Sequence, residues 1–337
     1  MTPLPDGVAT APGAGAPEAG AWARRVPVAQ PFDAASALAT LVAHAVPGVD
    51  RVVRSDAARG EVARLVETRS GTTAVTVRLT PEEIEVRGSG PAADEVRALV
   101  ARWFDADADL ATVHAVLGAD PVLAPLLAAR PGLRVVGHPS GFEAAVTTVL
   151  GQQVSLAACR TFAGRLAAAY GRPGAAAAAS GETADLRLFP DPGTLAGAQA
   201  AELQAAVGIT GARTRTLLAL ATACADGLTL EPDTAGDPAA LADTRARLLA
   251  LPGIGPWTVD YLSVKVLGDR DGFVPGDLVL RKALGGIDAR AASATARAWA
   301  PVRAYALFHL WTHTAYRPPR EGRDTGRRTT TDGRQDP

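Results

Sequence analysis

The chain has 337 residues and carries 34 Lys plus Arg against 35 Asp plus Glu, a formal net charge of −1. Such a length allows two or three domains at roughly 100–200 residues each. The 47% of hydrophobic residues supply a sizeable core, and the near-zero charge excludes both a histone-like basic binder and an acidic solvating tail.

Residues 1–28 are rich in Ala, Gly and Pro, show no periodicity, and read as a disordered tail. The start lacks a basic stretch followed by an apolar one, and no apolar run reaches ~18 residues, so neither a signal peptide nor a membrane span is expected. From 34 to 45 apolar residues recur at helical spacing. Four stretches then have strand character: 52–54, 62–66, 73–79 and 84–86. The third alternates with period two between Gly71 and Pro81. A helix over 91–104 closes a small antiparallel α+β unit, placed at 29–105.

The remainder, 106–317, reads as helix after helix. The spacing predicts helices over 107–118, 121–129, 140–150, 154–170, 194–206, 212–226, 238–250, 256–268, 278–284 and 297–314. Ser140 with Glu143 three residues on is a capping box, and Gly227 follows the helix ending at Asp226. Residues 173–184 look like a flexible loop within this region. Residues 318–337 hold five Arg and four acids among Pro, Gly and Thr, a second disordered tail. The expected class is therefore mostly α, with a small α+β domain in front.

Cys159 and Cys224 are the only cysteines. They are too few for a four-cysteine iron–sulfur or zinc site and point away from a disulfide scaffold, toward a reducing cytoplasm. His309 and His313 have metal-compatible spacing, but no Glu lies between them and no third ligand is evident, so packing is expected.

The most informative stretch runs from Leu248 to Tyr261. Pro252 and Gly253 break a helix that reaches Leu251, and Gly255 is followed by Pro256, a favoured first helical residue. This is a helix–hairpin–helix over 248–261. Gly253 and Gly255, around Ile254, let the backbone approach closely, and the N–H groups of the new helix start are unpaired. Such a terminus binds an anion, and a DNA phosphate fits it without a basic side chain. A plain turn between helices is the alternative. Helical patterns on both sides and a carboxylate downstream favour DNA. That carboxylate is Asp277, in Phe273-Val274-Pro275-Gly276-Asp277, and its position is that of an N-cap. Capping does not exclude chemistry. A helix N-terminus favours negative charge, and an ionised carboxylate stabilises a developing sugar cation or orients an attacking water.

With Leu251-Pro252-Gly253-Ile254-Gly255-Pro256-Trp257-Thr258, Asp277 and Trp311 in view, the chain resembles the helix–hairpin–helix (HhH-GPD) DNA glycosylase superfamily. Arg130-Pro131-Gly132-Leu133-Arg134 and Leu150-Gly151-Gln152-Gln153-Val154-Ser155 make it similar to the AlkA-type 3-methyladenine branch, over about 29–317. The resemblance implies a two-part helical glycosylase fold. It implies hydrolysis of the N-glycosidic bond of an alkylated base flipped out of double-stranded DNA, by a monomer at the nucleoid, with Asp277 as the catalytic carboxylate. It implies no required cofactor, with a monovalent cation on the hairpin carbonyls.

Strand-cutting members carry a lysine at the position of Trp257, and an indole is no nucleophile. Lys265 and Lys282, the only lysines, lie at other positions. A monofunctional enzyme is therefore expected, the alternatives being a bifunctional oxidised-base glycosylase/lyase and a non-catalytic hairpin DNA-binding module. Trp257 and Tyr261 share a helix face, and with Trp311 they form an aromatic box for a cationic base; Tyr261 fits the core equally well. Gln153 falls on the wedge position, where the family's best-known member has leucine; an exposed helix-start glutamine is the alternative. Gly276 and Leu278 also depart from the family pattern, at positions where an aspartate and a pocket-lining tyrosine occur. Asp260 is expected to be structural, and Asp269 and Asp271 to be exposed loop residues.

Residues 1–130 hold 12 basic and 16 acidic residues, and residues 131–317 hold 17 and 15. A mildly acidic first part thus precedes a mildly basic helical one. Phosphate contact through backbone amides predicts a small footprint. The slope of log binding constant against log salt should come from few phosphates, at roughly 0.9 each, and a measured slope near −10 would contradict it.

Overall fold

The computed structural model describes residues 20–174 and 183–315. Five strands, β1 (Ala21–Val26), β2 (Asp50–Arg54), β3 (Gly60–Thr68), β4 (Gly71–Leu79) and β5 (Ile84–Ser89), form an antiparallel sheet in the order β1-β5-β4-β3-β2. Val75, Val77 and Leu79 alternate inward along β4. Helices α1 (Ala34–His44) and α2 (Ala93–Trp103) place Leu38, Val96 and Val100 in the same core. The other face of β3 packs Ala63 and Leu65 on Leu186 and Leu188. Leu188 belongs to a two-stranded ribbon, β6 (Arg172–Pro173) and β7 (Arg187–Leu188).

β1 corrects the expected 1–28 tail: residues 21–26 pair with β5, Ala21 opposite Ser89 and Val26 opposite Ile84. An edge strand with only Val26 buried has no in–out period to read. Trp22 anchors it. Its indole donates to the Gly90 carbonyl at 2.9 Å and lies over Gly88, where a Cβ would come within 2.7 Å of the ring. Residues 1–19 and 318–337 lie outside the described residues, as does most of the expected 173–184 loop.

The helices after the sheet are α3 (Leu110–Gly118), α4 (Ala124–Ala129), α5 (Gly141–Gly151), α6 (Leu156–Tyr170), α7 (Pro192–Ala196), α8 (Ala200–Val207), α9 (Gly211–Ala225), α10 (Pro238–Leu249), α11 (Pro256–Lys265), α12 (Leu278–Ala283), α13 (Ala289–Thr295) and α14 (Arg303–Thr314). The helix expected over 194–206 is two, because the chain leaves the helix at Gly197 and restarts after Gln199. The one expected over 297–314 starts at Arg303, after Pro301, and α13 precedes it. The alanine-rich α13 buries only Ala292, so it carries no apolar period.

Two cores result. One joins the sheet, α1 and α2 to α3, α4 and α12–α14, through Phe104, Phe273, Trp299 and Tyr305. The other holds α5–α11, through Val149, Leu166, Leu217, Leu248 and Ile254. The α+β unit therefore shares its core with the ends of the helical region. Asp105 accepts from Arg270 at 2.6 Å and from the Tyr305 hydroxyl, and the Trp299 indole donates to Asp120 at 2.7 Å.

Buried Arg64 links the two cores. It donates to Asp50 at 3.0 Å and to Glu143, at the start of α5, at 2.6 Å. Ser140 caps the Glu143 amide at 3.3 Å. The reciprocal arm of the expected capping box is replaced, because the Ser140 amide donates to His138 at 3.1 Å.

His309 is buried on α14 while His313 is exposed, and among the described residues no three His, Cys, Asp or Glu are grouped to hold a metal. Among the same residues no helix is long and apolar enough to cross a membrane. Burial, with the charges of Arg130 and His114, lowers the His309 pKa to about 4. The unfolded chain then binds a proton near pH 6.5 that the folded chain refuses, so stability falls as pH drops through that window. Urea titrations at pH 7 and 4.5 should show His309→Leu losing about 2 to 3 kcal/mol less than the parent.

Candidate active site

α11 begins at the hairpin. Gly253 has φ +79°, and a Cβ there would sit 2.1 Å from Thr216 Oγ1, so both conformation and space require glycine. Ile254 is buried in the second core and pins the hairpin to it. Gly255 caps α11 with no side chain, and Pro256 is its first residue. The amides that follow open the helix with no side-chain cap, which leaves them for solvent or a ligand.

The loop after α5 meets this hairpin. Gln152 Nε2 donates to the Gly253 carbonyl at 3.1 Å and to Thr258 Oγ1 at 3.2 Å, while Arg213 donates to the Gln152 carbonyl. The next residue, Gln153, is exposed and has φ +57°, a left-handed conformation that costs a non-glycine residue of order 1 kcal/mol. Gln152 holds the loop to the hairpin, and the exposed, strained Gln153 directly follows it. Gln152 had been legible only as part of a motif; its reach to Gly253 is tertiary.

Trp257 and Tyr261, one turn apart on α11, stack with centroids 5.2 Å apart and planes at 15°. Tyr261 meets Trp311 of α14 at 5.8 Å, and Trp311 meets Phe308 at 5.5 Å. Trp257 is 36% exposed and Trp311 6%, so the aromatic wall runs from the surface inward. Tyr261 packs against both cores while lining the cavity, so both readings of it hold.

Asp277 caps α12. Its Oδ1 accepts from the Leu280 amide at 2.8 Å and from the Trp311 indole N–H at 2.9 Å. Both donors reach the same oxygen, which leaves Oδ2 for a ligand. A cavity of about 270 Å³ is lined by Asp277, Trp257, Tyr261 and Trp311. That is near the small end for ligand sites, suited to one planar heterocycle.

The inner end of the same cavity is lined by His44, Asp50, Arg64, His138 and Lys265. Burial pushes the two histidines down to about 3, helped by neighbouring cations, so both are neutral. Burial pushes the Asp50 and Glu143 carboxyls up, and Arg64 opposes it. Lys265 ends α11, its amine donating to the Val136 carbonyl and lying 5.1 Å from the Phe308 ring. Burial lowers its pKa to about 7. Its place on the wall follows from spacing, since 257, 261 and 265 fall on one helical stripe. Cys159 also lines the cavity, with a thiol that burial pushes up to about 11, too high for a nucleophile.

The remaining predicted positions fall outside this cavity. Asp260 pairs with Arg245 at 2.7 Å, a structural role as expected. Asp269 and Asp271 are not exposed loop residues. Both are half-buried, and Asp271 makes two bonds to Arg303 at 2.8 Å. Leu278 is 59% exposed, and its neighbour Val279 faces the cavity instead.

Two family models match the chain: the AlkA N-terminal domain over residues 23–140, and the HhH-GPD superfamily base excision DNA repair protein over residues 146–299. A Mycobacterium tuberculosis H37Rv protein named "Probable bifunctional transcriptional activator/DNA repair enzyme AlkA" is 35% identical over 322 residues. That match takes in 87% of this chain, which spans only 57% of the relative's length. DNA-3-methyladenine glycosylase 2 of Escherichia coli K12 is 32% identical, over 86% of this chain and 96% of its own. The 3-methyladenine DNA-glycosylase of Archaeoglobus fulgidus superposes with a TM-score of 0.70 at 18% identity, over 87% of this chain and 98% of its own, a likeness of fold. The two models together, and the near-complete coverage of the Escherichia coli relative, make this chain an AlkA-type member of the HhH-GPD superfamily of base excision DNA repair proteins.

Proposed function

We propose that this protein is a monofunctional DNA glycosylase. It flips an alkylated base of the 3-methyladenine or 7-methylguanine type out of double-stranded DNA and hydrolyses its N-glycosidic bond. It does so as a monomer, in the cytoplasm at the nucleoid. The observation that carries this reading is Asp277, held by Leu280 and Trp311 on a cavity walled by Trp257 and Tyr261. A module that only bound DNA would need neither Asp277 nor the aromatic wall of Trp257, Tyr261 and Trp311.

The amides after Gly255 take a backbone phosphate. Gln153 enters the stack as the base leaves it. The cationic base enters among Trp257, Tyr261 and Trp311, where each good ring contact is worth roughly 0.5–2 kcal/mol. The C1′–N bond breaks with its electron pair going to the base. The base is a good leaving group because it gains neutrality in that step. Asp277 stabilises the cationic character left on the sugar. Water then bonds to C1′ and loses its proton to solvent or to the carboxylate. Position 257 offers no amine, so no Schiff base forms there.

The reading requires no cofactor. A monovalent cation would be held by the hairpin carbonyls, among them that of Leu251, which accepts from Ile254, and that of Gly253, which accepts from Gln152. Each oxygen keeps a second lone pair for it, and the ion would add positive charge beside the phosphate.

Asp277→Asn should keep DNA binding and lose base release by about 10²-fold or more, read as bound fraction and as excision rate on lesion-bearing duplexes; near-parental excision would sink the mechanism. Borohydride reduction during turnover should trap no covalent protein–DNA adduct, and a trapped one would revive the lyase. Gly253→Ala should lower stability by about 1–3 kcal/mol and weaken binding to undamaged and damaged duplex alike.

A further inference from the structure

Lys265 has no part in the chemistry above, yet it lines the same cavity as Asp277. It follows Trp257 by eight residues on α11, about 12 Å further along the helix axis at 1.5 Å per residue. A sugar-attacking amine belongs at position 257, so Lys265 is too deep to reach C1′. It faces the space a flipped base would occupy. An ammonium has three donors. One goes to the Val136 carbonyl and one side covers the Phe308 ring, which in turn packs on Trp311. That leaves a donor for whatever fills the cavity.

We propose that Lys265 is a specificity-determining residue, whose amine decides whether the inner end of the cavity admits a cationic base or favours a neutral, carbonyl-bearing one. The proposal rests on the reading of this cavity as a base pocket. The charged amine repels a cationic base and donates to a carbonyl oxygen such as that of hypoxanthine. The neutral amine removes the repulsion and leaves the cation to the aromatic rings.

The groups around the amine leave this switch to Lys265. α1 presents His44, the segment before α5 presents His138, and both have pKa values near 3, so they stay neutral above pH 6. β2 and β3 present Asp50 and Arg64, and α5 presents Glu143, with Arg64 paired to both carboxylates. α6 presents Arg160, bonded to the Ala45 carbonyl at 2.8 Å, and Cys159, whose pKa is about 11. Asp277 stands on the start of α12. Arg102, Asp269 and Arg270 lie on the far side of Lys265, around a second depression that shares Gly137, His138 and Lys265 with the first. The Lys265 pKa of about 7, lowered by burial, puts its charge change inside the working range.

The test measures single-turnover release of 3-methyladenine from methylated DNA and of hypoxanthine from a defined duplex, between pH 6 and 8. In the parent the ratio of 3-methyladenine to hypoxanthine release should rise with pH, by up to about tenfold in each rate and so up to about 100-fold in the ratio, for one site titrating near 7. Lys265→Met should give a high, flat ratio, and Lys265→Arg, which stays charged, a low, flat one. A flat ratio in the parent overturns the proposal whether or not the variants fold, and so does a Lys265→Met ratio that tracks the parent. Release of neither base by the parent refutes the glycosylase reading itself.

Discussion

One guanidinium sets the frame of the molecule. Arg64 leaves β3 and is buried between Asp50 of its own sheet and Glu143 of the other core. Burying three charges is costly, and such a group contributes more to a single arrangement than to net stability. Here it fixes the start of α5. The far end of α5 passes into Gln152, which grips Gly253 and Thr258. The hairpin starts α11, and α11 presents Trp257, Tyr261 and Lys265. The position of the aromatic wall thus traces back to a salt bridge at the base of the same cavity.

The site treats the two signs of charge with little use of exposed basic side chains. At the surface, backbone amides at the α11 start favour an anion, and Gly255, whose Cβ position meets nothing within 4 Å, keeps that approach open. Inside, ring faces and one carboxylate favour a cation. Neutral histidines and a lysine of depressed pKa keep the inner end from being strongly positive. This division is why an overall charge of −1 is compatible with a nucleic-acid partner.

Much of this was legible in the chain. Regular patterns survived: the alternation in β4, the Pro-Gly punctuation of the hairpin, and the N-cap geometry of Asp277, which the structure reproduces as a bond to Leu280. What escaped reading was set by tertiary contact. β1 is held by one indole over one glycine and has no internal period. The bond from Trp311 to Asp277 joins residues 34 apart, and the contact of Gln152 with Gly253 joins residues 101 apart. Lys265 had a visible spacing, but only burial by Phe308 and Val136 turns that spacing into chemistry. Glu143 looked like half of a capping box and instead serves Arg64, because a buried guanidinium demands a partner more strongly than an exposed amide does.

The bond between Trp311 and Asp277 makes one side chain both wall and clamp. A base that fits the cavity leaves the indole in place and the carboxylate aimed. A base that fits only by tilting the indole breaks that bond and leaves Oδ1 held by the Leu280 amide alone. Such a base is held by the rings but left without an aligned carboxylate. Selection of this kind acts on the rate of bond breaking in the bound complex, and binding affinity alone does not reveal it. On the proposed function, a pocket built this way holds more bases than it cuts.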